Sequence, residues 1–187
     1  EDEEGRQYFI TAHRWYKQRN YVLGQLQDVA NEDPLGAARL LNRFAEVAEG
    51  YVPTNDYRWY NNIVDPDIGP PYEYWGGMWY RWAAADLIHL PKLANAYSIV
   101  NETNAFELLS GELGEDTHDN VVDMMLASVD YYHTFPIIYS NMEYHNMLGL
   151  VALAKALNDP KYIHEVVEWT QHFAMNTYLF DGFFKEV

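Results

Sequence analysis

The chain has no cysteine, which excludes disulfide staples and thiolate metal sites. Cations are scarce: 12 Lys and Arg face 28 Asp and Glu, a formal charge of −16. A field of that sign opposes nucleic acid and anionic membrane surfaces as partners. No apolar run approaches the roughly 18 residues of a membrane span. The opening "EDEEGRQY" is acidic and polar, unlike a secretory leader. A leader removed on export would leave no mark, so the compartment stays open. There is no Gly-rich phosphate loop, no GxSxG and no dinucleotide fingerprint. No cofactor and no resident metal are expected.

What the chain does have is apolar and aromatic: 49% of its residues are hydrophobic and 16% aromatic. At 187 residues it can bury the core of a single domain, taken as residues 1–187. The hydrophobic pattern predicts helix nearly throughout. Over residues 6–31, Tyr8, Phe9, Ala12, Trp15, Tyr16, Val22, Leu23, Leu26 and Val29 recur at helical spacing. Asp33-Pro34 predicts a fresh helix start, whose stripe of Leu40, Leu41, Phe44, Val47 and Ala48 runs to Gly50. Helix resumes near Gly77 and runs toward Ile88, where Pro91 kinks or restarts it, and Leu93, Ala94, Tyr97 and Val100 continue the stripe. A weaker helical segment spans residues 105–109 and ends at "SGELGED". Clearer helices follow over 119–133, 143–157 and 160–178, the last two joined tightly through "NDPKY". No useful strand signal is present. The expected fold is all-α, with antiparallel helix hairpins forming part of an incomplete α/α toroid.

Residues 51–75 break the pattern. They hold four prolines and many Asn and Asp, with no helical period, and read as a long irregular loop. Loops beyond about 15 residues are uncommon unless functional. Ten of the 32 residues from Tyr51 to Trp82 are aromatic, twice the chain average, which marks this stretch out. Rings beside polar groups suit sugars: a pyranose face stacks on the ring while Asn, Asp and Arg bond its hydroxyls. Tyr57, Trp59, Trp75, Trp79 and Tyr80 are the candidate platforms. Arg58 and Arg81 are candidate carboxylate clamps. The same rings could instead fill a core beneath the loop.

Two further clusters carry chemistry. In "YSNMEYHNMLGL", Asn141 precedes a helix whose first turn holds Glu143, Tyr144, His145 and Asn146. Either Ser140 or Asn141 caps that helix while Glu143 favours its positive end, or Asn141 and His145 neutralise a substrate carboxylate. In "HEVVEWTQH", His164, Glu168 and His172 recur every four residues, but without the HExxH order of a metalloprotease. They read as a solvated polar face.

Three stretches resemble a known family. "WGGMWYRWAAADLIHLPKLANAYSIV" behind its Pro-rich loop, "SNMEYHNMLGLVALAKAL" and "YLFDGFFKEV" are similar to segments of the heparinase II/III-like polysaccharide lyases, including the oligoalginate lyases. The resemblance spans residues 51–187 and implies an N-terminal α/α-toroid domain. It implies cleavage beside a uronic acid by β-elimination. A neutral donor quenches the substrate carboxylate, a Tyr or His takes the C5 proton, and a Tyr protonates the leaving oxygen. Asn141 matches the neutralising Asn, and Met142 stands where several members have His. The family's catalytic Tyr lies beyond the "DGF" segment, and a β-sandwich follows. On this resemblance the chain is the front part of a longer enzyme and is inactive alone, its partner a uronate oligo- or polysaccharide met in the periplasm or outside the cell. Two alternatives stay open. One is a toroid glycoside hydrolase using carboxylates among Asp56, Asp65, Asp67 and Glu73. The other is a helical glycan-binding or scaffold domain without chemistry.

Overall fold

A computed structural model describes residues 3–49, 87–133 and 143–177. Within them the protein is all-α, with seven helices. In chain order these are α1 (Glu3–Glu32), α2 (Pro34–Glu49), α3 (Leu90–Asn101), α4 (Ala105–Leu113), α5 (Thr117–Tyr132), α6 (Glu143–Leu157) and α7 (Lys161–Thr177). None is long and apolar enough to cross a membrane.

The predicted stripes become the core. Leu23, Leu26 and Ala30 of α1 meet Ala37, Ala38 and Leu41 of α2 and Leu90, Leu93, Ala94 and Tyr97 of α3 in one buried cluster. Helix α3 is the hub: α1, α2 and α6 all pack on it, with α7 on α6 and α5 on α2. Burying each large aliphatic side chain contributes roughly 1.5–3 kcal/mol, so this shared cluster is what orders the helices.

Helix boundaries follow local chemistry. Asp33 ends α1, and its Oδ1 accepts the Gly36 N–H at 2.9 Å, capping α2 just ahead of Pro34. Leu87–His89 form one 3₁₀ turn, and α3 restarts at Leu90 with Pro91 in its first turn, so the proline starts a helix and does not kink one. Helix α6 spans the predicted residues. It ends at Asn158, a left-handed residue (φ 52°), with the Asp159 N–H returning to the Ala154 carbonyl at 3.0 Å. Asp159 Oδ1 then accepts the Lys161 N–H at 3.0 Å to start α7, just past Pro160.

One boundary differs from expectation. Helix α4 does not stop at Leu109 but continues to Leu113 and closes on left-handed Gly114 (φ 74°). Ser110 explains the extra turn. Its carbonyl takes the Gly114 N–H at 2.8 Å, while its hydroxyl takes the Thr117 N–H at 3.0 Å. "SG" therefore belongs to the helix and not to the turn. Helix α5 starts two residues earlier than predicted because Asp116 caps it through the Asp119 N–H at 3.1 Å.

Candidate functional site

Most of the candidate site residues lie outside the described residues: Asn141, Tyr57, Arg58, Trp59, Trp75, Trp79, Tyr80 and Arg81, with the hydrolase candidates Asp56, Asp65, Asp67 and Glu73. His145 is described. It sits half-buried in the first turn of α6, its ring edge-on to the exposed Tyr144 at 6.2 Å between centroids. His164, Glu168 and His172 are exposed along α7. They are not a converging ligand set. Among the described residues, ligand atoms converge at Asp116, His118 and Asp119. There the His118 ring is already engaged on both sides, by the Tyr97 hydroxyl at 2.8 Å and by Asp119 at 2.9 Å.

The described helices do fix where the two candidate segments begin and end. Residues 51–86 return to the fold at Leu87, and residues 134–142 run from the end of α5 into Glu143. These points meet. The Leu87 N–H donates to Asn146 Oδ1 at 2.9 Å in a fully buried bond. Helices α3 and α6 come this close because α6 carries glycine at 149. A Cβ there would stand 2.7 Å from the Leu87 Cβ and 2.8 Å from its carbonyl oxygen. With its oxygen taken by Leu87, the Asn146 amide donates from its nitrogen to the Glu143 carboxyl. The Tyr132 hydroxyl donates to the same carboxyl from the last turn of α5.

Glu143 is thus a buried acid, only 2% exposed. Three effects compete for its proton. Burial disfavours the carboxylate, while the hydrogen bonds from Tyr132 and Asn146 favour it; nearby Glu165 repels it. Burial wins, and the carboxyl is pushed up to about 7. The helix N-terminus adds only about 0.3–1 kcal/mol in favour of the charge. The reading of Glu143 as an ordinary charge at a helix start is therefore corrected. A clue stood in the sequence. Glu143 and Asn146 share the helical stripe of Leu150 and Leu153, so both polar residues sit on the core face.

Two histidines flank this region. His133 ends α5 and meets Glu165 of α7 at 2.7 Å, and that hydrogen bond holds its pKa above the usual imidazole range. His89, in the turn before α3, is driven down to about 3, chiefly by burial and then by Arg19 and Lys92. It is neutral at any physiological pH.

Set against protein-family models, curated proteins and solved structures, the chain matches none. Its functional reading therefore rests on its own residues.

Proposed function

We propose that the chain is part of a polysaccharide lyase that cleaves uronic-acid-containing glycans by β-elimination, built on a helical toroid. The observation that supports this is the Leu87–Asn146 hydrogen bond. It ties the return point of the aromatic segment to the helix that follows Asn141. Segments bearing sugar-stacking rings and a carboxylate neutraliser thus rejoin the helices within one turn of each other. That arrangement suits a single cleft. In such a cleft the Asn141 amide hydrogen-bonds the uronate carboxylate and makes the C5 proton removable. Trp75, Trp79 and Tyr80 stack the sugar, and Arg58 and Arg81 hold neighbouring carboxylates. On this reading the two arginines, or a part of the protein beyond this chain, have to supply positive charge locally against the −16 of the chain. A lightly charged uronate oligosaccharide is easier to hold under that field than a sulfated one. Such substrates lie outside the cytoplasm, which puts the enzyme in the periplasm or medium.

The test is an ultraviolet assay of the complete natural protein on alginate and glycosaminoglycan oligosaccharides. β-Elimination leaves an unsaturated uronate that absorbs. Absorbance that grows with time, and falls at least 100-fold in rate in Asn141→Ala, supports the proposal. New reducing ends without absorbance would establish the hydrolase instead. Binding without turnover would establish a glycan-binding domain.

A further inference from the structure

Two helices and the turn before a third are linked through one carboxyl. The Tyr132 hydroxyl of α5 and the Asn146 amide of α6 both reach Glu143, and Asn146 passes the link on to the Leu87 N–H before α3. Charged and titratable groups lie on each neighbouring element. His133 of α5 interacts with Asp130 and with Glu165 and Lys161 of α7. Before α3, His89 interacts with Arg19 of α1 and with Lys92. On α6 itself His145 lies two residues on. Among the described residues, none of the ion pairs includes Glu143. Glu165, which acts on it directly, carries the same sign. Among the described residues an ionised Glu143 is thus bonded by neutral donors and belongs to no ion pair that offsets its burial, so it gains by reaching water.

We propose that Glu143 is a proton-operated clasp: protonated, it locks the ends of α5 and α6 onto the turn before α3, and ionised, it lets that junction open to water. The switch works near neutrality because burial lifts the carboxyl to about 7. The sites it governs are Leu87 and Glu143, where residues 51–86 and 134–142 join the described helices. The inference stands whether or not the protein is a lyase.

The Leu87 N–H reports the clasp directly, because its partner is Asn146. Amide hydrogen exchange, expressed as a protection factor to remove the intrinsic pH dependence, is measured on the whole chain at pH 5 and pH 8. Protection of Leu87 is expected to fall on the order of 100-fold in the wild type and to stay nearly level in Glu143→Gln. The Thr117 N–H, bonded to Ser110, is the internal reference and stays level in both. A level Leu87 in the wild type, or an equal fall in Glu143→Gln, overturns the proposal. If Glu143→Gln does not fold, a carboxyl carbon-13 titration of the wild type decides. A midpoint near 7 that rises further in Tyr132→Phe supports the clasp. A midpoint in the ordinary carboxylate range overturns it.

Discussion

Helix α5 is held at both ends by buried polar side chains, and the two ends are built from different chemistry. At its start, Thr117 is fully buried. Its hydroxyl meets Ser110 Oγ at 2.9 Å and the Phe106 carbonyl at 3.2 Å. The groups that bond Thr117 are all neutral. At its far end Tyr132 meets a carboxyl that burial has made a weak acid. Both corners satisfy their polar atoms, as buried groups must. The neutral corner holds at any pH, whereas the acidic one holds best when protonated. A hydroxyl corner is structural cement. A buried carboxyl is the same cement with a dependence on pH built in.

The largest expected effect breaks the acidic corner's pH dependence. A folded pKa above the unfolded value means the folded state binds the proton more tightly. Stability from Glu143 is then fully present below the unfolded value near 4.5 and is lost as pH rises through about 7. Glu143→Gln should remove a contribution that falls by about 3 kcal/mol between pH 4.5 and pH 8, so the variant's stability changes with pH differently from the wild type in urea unfolding at each pH. His89 works in the opposite sense. Its pKa is lowered to about 3, so its contribution is present above the usual imidazole value and lost as pH falls toward 3. The two slopes oppose each other between about 4.5 and 6.5 and leave the wild type nearly flat there. Replacing His89 by Gln should uncover the Glu143 slope alone.

Next in size is Gly149→Ala. The added Cβ meets Leu87 backbone and Cβ closer than 3 Å, and overpacking of that kind costs about 1–3 kcal/mol in thermal or urea unfolding. It should also lower Leu87 amide protection at every pH, unlike the carboxyl variants. Thr117→Val keeps the shape but strips the hydroxyl from the neutral corner. It should cost about 1–2 kcal/mol, equally at pH 5 and pH 8, which sharpens the contrast between the two ends. Smallest is Asp116→Ala, which removes the cap on the Asp119 N–H at about 1 kcal/mol in the same unfolding series.

The helical stripes were legible in the sequence because packing against a common core imposes a local period. Leu93, Ala94, Tyr97 and Val100 are buried as their spacing predicts, and α6 has the predicted ends. The α4–α5 corner was less legible. Whether Ser110-Gly111 continues a helix depends on Thr117, which gives the Ser110 hydroxyl its partner. The burial of Glu143, which the sequence offers only as a charge favouring the helix start, was hidden for a similar reason. Its burial depends on a tyrosine eleven residues earlier and an asparagine that also serves Leu87. Propensity at a helix start says nothing about such partners. Of the candidate site, His145 alone falls among the described residues. For the others, the structure supplies the points where their segments join the helices.

The contact at Gly149 also sets a register. The Leu87 Cβ and carbonyl fill the space where a side chain of α6 would stand. One turn earlier α6 carries His145, and one turn later Leu153. Sliding α6 along α3 by a turn would drive one of those side chains into Leu87, and would carry Glu143 about 5.4 Å from the Tyr132 hydroxyl, beyond reach of a hydrogen bond. The missing side chain acts as an index notch: the two helices mesh at one setting, and the span between residues 87 and 143 is fixed like a gauge block.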